Sequence, residues 1–165
     1  KGVFTLVDAF APLKHCTLVI AGDGNDREAL AREVAARGLE HVKLVGFKSG
    51  AELRELIRGS IATLAPSEWY ETFGLTLTES FAHCRPVIAS AIGGMTEIVD
   101  HETDGILTTP GYVLSLREAV EWMAKSPRRA VEMGMSGRHK VEARFSPEVH
   151  LAKIQDVYRH VGAMA

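Results

Sequence analysis

Pro66-Ser67-Glu68-Trp69-Tyr70-Glu71-Thr72-Phe73-Gly74-Leu75-Thr76-Leu77-Thr78-Glu79 follows directly on the apolar run Ile61 to Ala65. The stretch reads as a loop crowded with aromatic residues that leaves a buried strand and runs into a helix beginning near Gly74. A helix start carries unpaired N–H groups and a partial positive charge, and both favour phosphate. Glycine there lets the backbone approach a ligand closely. Seven residues separate Glu71 from Glu79, and Glu79 falls four after Leu75, on the same helical face. A carboxylate accepts from two neighbouring hydroxyls at once, which suits the vicinal diol of a ribose or a hexose. Carboxylates directly beside a diphosphate would repel it, so Glu71 and Glu79 are expected at its two ends. Most glutamate pairs on helices only form a solvated face, and Trp69 or Phe73 alone would be read as core. The strand before, the glycine at the helix start and the aromatic loop between them favour a phosphosugar or nucleotide site.

Working outward, the chain alternates apolar runs with helical patterns. Val3 to Ala11 has helical spacing, with Pro12 at its end. Cys16 to Ala21 is a continuous apolar run closed by Gly22-Asp23-Gly24, the pattern of a strand buried on both faces. A helix capped by Asn25 or Asp26 is expected through about Arg37, with Gly38 closing it. Val42 to Phe47 is a second strand. Ser49 and Glu52 have the spacing of a capping box for a helix over residues 51–58. Ile61 to Ala65, Pro86 to Ser90 and Gly105 to Thr108 are further strands, and Gly93-Gly94 turns into a short helix near Glu97. From Val113 to Val161 only helix signals remain, interrupted at Ser126-Pro127 and Ser146-Pro147, where serine caps and proline takes the first helical position. This alternation predicts an α/β fold with a doubly wound parallel sheet and a helical C-terminal tail packed back on it, one domain over residues 1–165. Ligands in such sheets bind beyond the carboxyl ends of the strands. The loops at 22–24, 47–50 and 66–74 should therefore line one crevice.

Composition narrows the function. A net charge of −2 argues against a nucleic-acid partner. Cys16 and Cys84 stand far apart, with neither metal spacing nor a disulfide framework, which points to a reducing cytoplasm. No apolar run reaches the length of a membrane span, and no signal peptide opens the chain. The first residue is Lys, taken as the sign of a piece of a longer protein. Gly22-Asp23-Gly24 lacks the third glycine of a dinucleotide fingerprint, because Arg27 stands in its place. Arg128, Arg129, Arg138, Lys140 and Arg144, interspersed with Glu132 and Glu142, read as a solvated helix face.

Residues 66–79 resemble the signature of retaining GT-B glycosyltransferases of the "group 1", or family 4, class. The resemblance runs along nearly the whole chain. Lys1-Gly2 with Ala9-Phe10 is similar to the opening of the family's C-terminal domain. Residues 18–24, Leu44-Val45-Gly46, residues 86–90, Gly93-Gly94, Glu97-Ile98-Val99, Met133-Gly134, Gly137-Arg138 and Phe145-Ser146 follow in the family's order. Two positions depart from it: Thr72, where Pro or Ser is usual, and Cys84-Arg85, where Gly-Xaa is usual.

The resemblance implies a Rossmann-like, donor-binding C-terminal domain that transfers a sugar from a nucleoside diphosphate with retention (EC 2.4). Glu71 is implied to contact hydroxyls of the donor sugar and Glu79 the ribose. Backbone at Phe73, Gly74, Leu75 and Thr76 is implied to hold the sugar and its phosphates. Lys1 is implied to contact the diphosphate, as partner to an arginine upstream of this sequence. Phe47 and Lys48 match the loop near the base. No metal and no cofactor is implied. The acceptor-binding N-terminal domain is absent, so the domain by itself is expected to bind donor weakly and to transfer nothing. Membrane contact is expected only through the longer enzyme. The alternatives are another GT-B enzyme such as a sugar-nucleotide epimerase, and a non-catalytic nucleotide-binding domain.

Overall fold

The computed structural model describes residues 1–162. It contains five strands and eight helices: α1 (Val3–Phe10), β1 (Leu18–Ala21), α2 (Arg27–Ala36), β2 (Val42–Gly46), α3 (Gly50–Gly59), β3 (Thr63–Ala65), α4 (Leu75–Ala82), β4 (Val87–Ser90), α5 (Met95–Ile98), β5 (Gly105–Thr108), α6 (Val113–Lys125), α7 (Pro127–Arg144) and α8 (Pro147–Gly162). Every strand pairing is parallel, as the alternation of strands and helices requires. Leu18 lies beside Val42 in one pairing, and Val87 lies between Thr63 and Gly105 in the other two.

Hydrogen bonding divides the strands into a two-stranded sheet, β1-β2, and a three-stranded sheet, β3-β4-β5. β4 is buried at all four positions, the state its unbroken apolar sequence predicts for a central strand. β1 differs from the expectation. Leu18 is buried but Val19 is 42% exposed, because a crevice rather than a neighbouring strand borders β1 on the side away from β2.

Two apolar clusters hold the layers together. The larger joins Leu6, Val7 and Phe10 of α1 to Leu18, Val42, Ile88 and the α6 residues Leu116, Val120 and Met123. The smaller packs Leu77 and Phe81 of α4 against Val87, Ala89, Met95 and Ile98.

The helical tail is only partly packed. α6 lies on α1, and α7 lies on α4, but α8 buries no residue. Ser146 caps α8 by accepting from the Val149 N–H at 3.3 Å. Ser126 precedes Pro127 as expected, yet its hydroxyl makes no cap. The capping box at Ser49 does not form either. Glu52 pairs instead with Lys48 at 3.1 Å, a charged partner that outcompetes the reciprocal backbone bond. Lys140 is not on a solvated face. Its side chain is 9% exposed and its ammonium joins the buried Asp104, Asp100 at 2.6 Å and the Ile98 carbonyl at 2.9 Å. Among the described residues no helix is long and apolar enough to cross a membrane.

Candidate donor site

One crevice of about 1290 Å³ runs along the carboxyl ends of the strands and down between β1 and β3. Gly22, Phe47, Lys48 and Pro66 line it, so all three loops singled out in the sequence contribute to it. Phe47 N–H donates to Asp23 Oδ2 at 3.3 Å, which ties the first loop to the second. Lys1, Glu71, Phe73, Gly74, Leu75, Thr76 and Glu79 line the same crevice, so the structure brings every sequence-predicted site residue to one place.

Glu71 is the most constrained of them. Lys1 Nζ donates to its Oε1, and Ser67 Oγ donates to the same oxygen at 3.1 Å. Its backbone carbonyl accepts from Gly94 N–H at 2.8 Å. The turn after β4 is pressed against this loop. A Cβ on Gly94 would stand 2.6 Å from the Thr72 carbonyl oxygen, so a larger residue there must shift either the turn or the loop that carries Glu71. The Lys1 ammonium, chiefly, holds the Glu71 carboxyl below the ordinary glutamate range; partial burial opposes it, and the Ser67 hydroxyl assists.

Lys1 is itself positioned by its neighbours. Gly2 packs so tightly on the Pro66 carbonyl that an added Cβ would stand 1.9 Å from it. Three residues on, Thr5 Oγ1 donates to Glu68 Oε1 at 2.5 Å. The start of α1 is thereby fixed to the loop after β3.

α4 begins as the sequence predicts. Gly74 is the N-cap with φ 85°, a left-handed conformation costly to residues with a side chain, and no side chain caps the helix. Leu77 N–H is bonded back to the Gly74 carbonyl at 3.0 Å, which leaves the Leu75 and Thr76 N–H groups directed out of the helix end. Phe73 stands edge-on to Phe145, with ring centroids 5.7 Å apart and planes at 74°. That contact gives Phe145, at the α7–α8 junction, a packing partner in the site loop. Glu79 is exposed, and among the described residues it has no hydrogen-bond or ion-pair partner, so its carboxylate is available to a ligand. Lys48 is engaged by Glu52, while Phe47 is exposed.

Sequence reasoning missed Ser67, which is 3% exposed and sits behind Glu71. It also read Gly93-Gly94 only as a turn. A small polar residue four before the glutamate, and a glycine pair after the central strand, were the available signals. Among the described residues no three His, Cys, Asp or Glu side chains converge as a metal site would need.

Comparisons with known proteins bear on the family and the fold. The sequence pattern of the family described as Glycosyl transferases group 1 matches residues 1–140. The alpha-D-kanosaminyltransferase of Streptomyces kanamyceticus is 29% identical over 98% of this chain and 43% of its own length. The sucrose-phosphate synthase of Thermosynechococcus elongatus superposes on all of this chain and 43% of its own, with a TM-score of 0.89 and 31% identity. Anabaena HepE, solved in complex with UDP and glucose, covers 96% of this chain and 45% of its own, with a TM-score of 0.88 and 25% identity. The chain thus spans less than half the length of these relatives.

Proposed function

The chain belongs to the Glycosyl transferases group 1 family, and from that membership we propose that it is the donor-binding domain of a retaining GT-B glycosyltransferase. Its ligand is a nucleoside diphosphate sugar. The observation that carries this reading is the meeting of Lys1, Glu71 and the uncapped start of α4 in one crevice. HepE, a structural neighbour, was solved with UDP and glucose, which supports a donor of this class.

Each residue then has a role. The Leu75 and Thr76 amides, with backbone at Phe73 and Gly74, receive the diphosphate at the positive end of α4. Lys1 leaves Glu71 for the phosphates when donor enters. Glu71, released from that ammonium, accepts from hydroxyls of the sugar. Glu79 accepts from the ribose diol, and Phe47 with Lys48 borders the base.

In the transfer step the bond between the anomeric carbon and the diphosphate oxygen breaks, and its electron pair goes to the diphosphate. Lys1 and the helix amides stabilise that growing charge, which is electrostatic catalysis directed at the leaving group. Glu71 positions the sugar and does not act as a base. The acceptor enters from a second, N-terminal domain, so this chain alone binds donor and transfers nothing. The whole enzyme works in the cytoplasm, without nucleic acid, and reaches a membrane only through its other parts.

Titration calorimetry of the folded chain with UDP, GDP and ADP tests the reading. Heat from one of the three is expected. Silence from all three overturns it.

A further inference from the structure

The loop between β3 and α4 has an outward tip that the donor crevice does not use. Ser67 is buried, Trp69 is 77% exposed, Tyr70 is 82% exposed, and the Glu71 side chain is partly buried again. The crevice takes Ser67, Glu71 and Thr72 from this loop, but neither Trp69 nor Tyr70 lines it. Among the described residues neither ring meets another ring or a cation. Trp69, which alone would be read as core, thus stands in solvent beside a second ring. The loop after β5 borders the same rim: a Cβ on Gly111 would stand 3.8 Å from the Glu68 side chain, and the next residue, Tyr112, is exposed. Single exposed apolar residues are ordinary, whereas a cluster of them marks an interaction site.

The backbone beneath the two rings is held on both sides. Ser67 Oγ, besides its contact with Glu71, lies 3.2 Å from the Trp69 carbonyl, so one hydroxyl proton serves two acceptors. Thr5 fixes Glu68 from α1, and Gly94 N–H fixes the Glu71 carbonyl. Gly93 packs so closely that a Cβ there would stand 3.0 Å from the Glu71 nitrogen and 3.3 Å from the Tyr70 Cα. A ligand therefore has to order only the two χ angles of each ring, a small entropic cost for a large contact area. The chemistry of the tip suits a sugar ring. An aromatic face is negative, and a pyranose presents on one side a set of slightly positive C–H groups with hydroxyls around its rim. The indole N–H, the phenol O–H and the Glu68 carboxylate stand ready for those hydroxyls. A surface meant for lipid or for an apolar helix would surround the rings with aliphatic side chains, but Ser67, Glu68, Glu71 and Thr72 flank them here.

The order of residues along the site says which sugar this is. In the proposed function the ribose lies at Glu79, the diphosphate at the start of α4 and the donor sugar at Glu71. Going back along the chain from α4, Phe73 and Thr72 lead to Glu71, and Tyr70 and Trp69 come next, at the loop tip outside the crevice. Two residues of extended chain span at most about 7 Å, so the Trp69 Cα stands within that distance of the Glu71 Cα. A ring resting on the tip is then a neighbour of the donor sugar. We propose that Trp69 and Tyr70 form an aromatic platform that receives a pyranose ring of the acceptor, so that the acceptor is a saccharide or another glycoside. This assignment rests on the reading of Glu71 as the donor-sugar contact.

The test follows the indole N–H signals of Trp69 and Trp122, the two tryptophans of the chain, by NMR. Trp69→Phe identifies which signal is which. Methyl α-glucopyranoside, methyl α-mannopyranoside and methyl β-galactopyranoside are titrated into the millimolar range in the presence of UDP, with sorbitol as a polyol that has hydroxyls but no ring face. The expected result is a saturable shift of the Trp69 signal with at least one glycoside, none with sorbitol, and a still Trp122. Tyr70→Ala should weaken that glycoside about two- to tenfold, the scale of one aromatic contact, and Tyr70→Phe should restore it. Melting temperatures of both variants show that the fold is kept. A Trp69 signal unmoved by all three glycosides in a chain that binds UDP overturns the platform and leaves the donor reading standing. A glycoside shift in a chain that gives no heat with UDP overturns the acceptor assignment together with the donor reading. Movement only with phosphatidylglycerol vesicles, or only on raising the protein concentration, also overturns the proposal, because the rings then meet lipid or a second copy.

Discussion

Lys1 and Glu71, seventy residues apart in the chain, meet as an ion pair at the mouth of the crevice. The carboxylate is 25% exposed and the ammonium 76% exposed. Such a pair contributes little to stability; in the proposed function its cation and anion separate around the ligand. Replacing Glu71 with Gln is therefore expected to act in opposite directions on two ligands. Affinity for a nucleotide sugar should fall about 10- to 100-fold, the loss of about 1.5–3 kcal/mol in hydrogen bonds to a charged group. Affinity for the bare nucleoside diphosphate should stay level or rise, because Lys1 no longer has a competing partner. Calorimetry with UDP-glucose and UDP separates the two, and an equal loss for both ligands would refute the division of labour.

The same pair sets a pH dependence. The folded-state pKa of Glu71 is depressed, so its contribution to stability is present above the ordinary glutamate value of about 4.3 and is lost as pH falls through the lower folded value. The exposed lysine limits that contribution to under about 1 kcal/mol. Carbon-13 titration of the Glu71 carboxyl should place its midpoint below the ordinary range, and Lys1→Ala should move it upward. A midpoint unmoved by that substitution would remove Lys1 as the principal cause.

Glu79 offers a cleaner probe, since it has no partner among the described residues. Glu79→Ala should leave the melting temperature nearly unchanged while weakening UDP binding by about 1.5–3 kcal/mol, the range for hydrogen bonds to a charged group. A deoxyribose analogue lacking the 2′-hydroxyl should bind wild type and variant more nearly alike.

The path from sequence to site was legible where local chemistry decides structure. The glycine at position 74, the apolar runs of β4 and β5, and the proline at position 127 place their elements with little help from the rest of the chain. Contacts between distant segments were not legible. Ser67 behind Glu71, and Gly94 against Thr72, depend on how the loops after β3 and β4 cross, which periodicity does not encode. The open edges of β1 and β3 were hidden for the same reason: an apolar run predicts a buried strand but not which neighbour covers it.

Gly94→Ala tests the loop crossing. The new methyl would stand 2.6 Å from the Thr72 carbonyl oxygen, so either the turn or the Glu71 loop must shift. Overpacking of this kind costs about 1–3 kcal/mol. Nucleotide-sugar affinity should fall along with stability, whereas UDP affinity, which the proposed function assigns to α4 and Glu79, should change less.

Lys140 was misread as one of several solvated cations, and its burial gives the strongest stability prediction. Asp104 is fully buried, with Oδ1 accepting from the Asp100 N–H at 2.9 Å and the Lys140 ammonium beside its other oxygen. Burial pushes the Asp104 carboxyl up, and Lys140 offsets that push. Lys140→Met removes the offset and leaves a buried carboxylate alone, at a cost of about 3–5 kcal/mol near neutral pH. The sign with pH follows from a raised folded-state pKa. The native state binds the proton more tightly, so the deficit should shrink as pH falls toward the ordinary aspartate range of about 3.9. Adding Asp104→Leu to Lys140→Met removes both charges and should recover most of the loss. Denaturant melts of the single and double variants at pH 7 and pH 4 measure this. A single variant as stable as wild type at pH 7 would return Lys140 to the surface role its neighbours in sequence suggest.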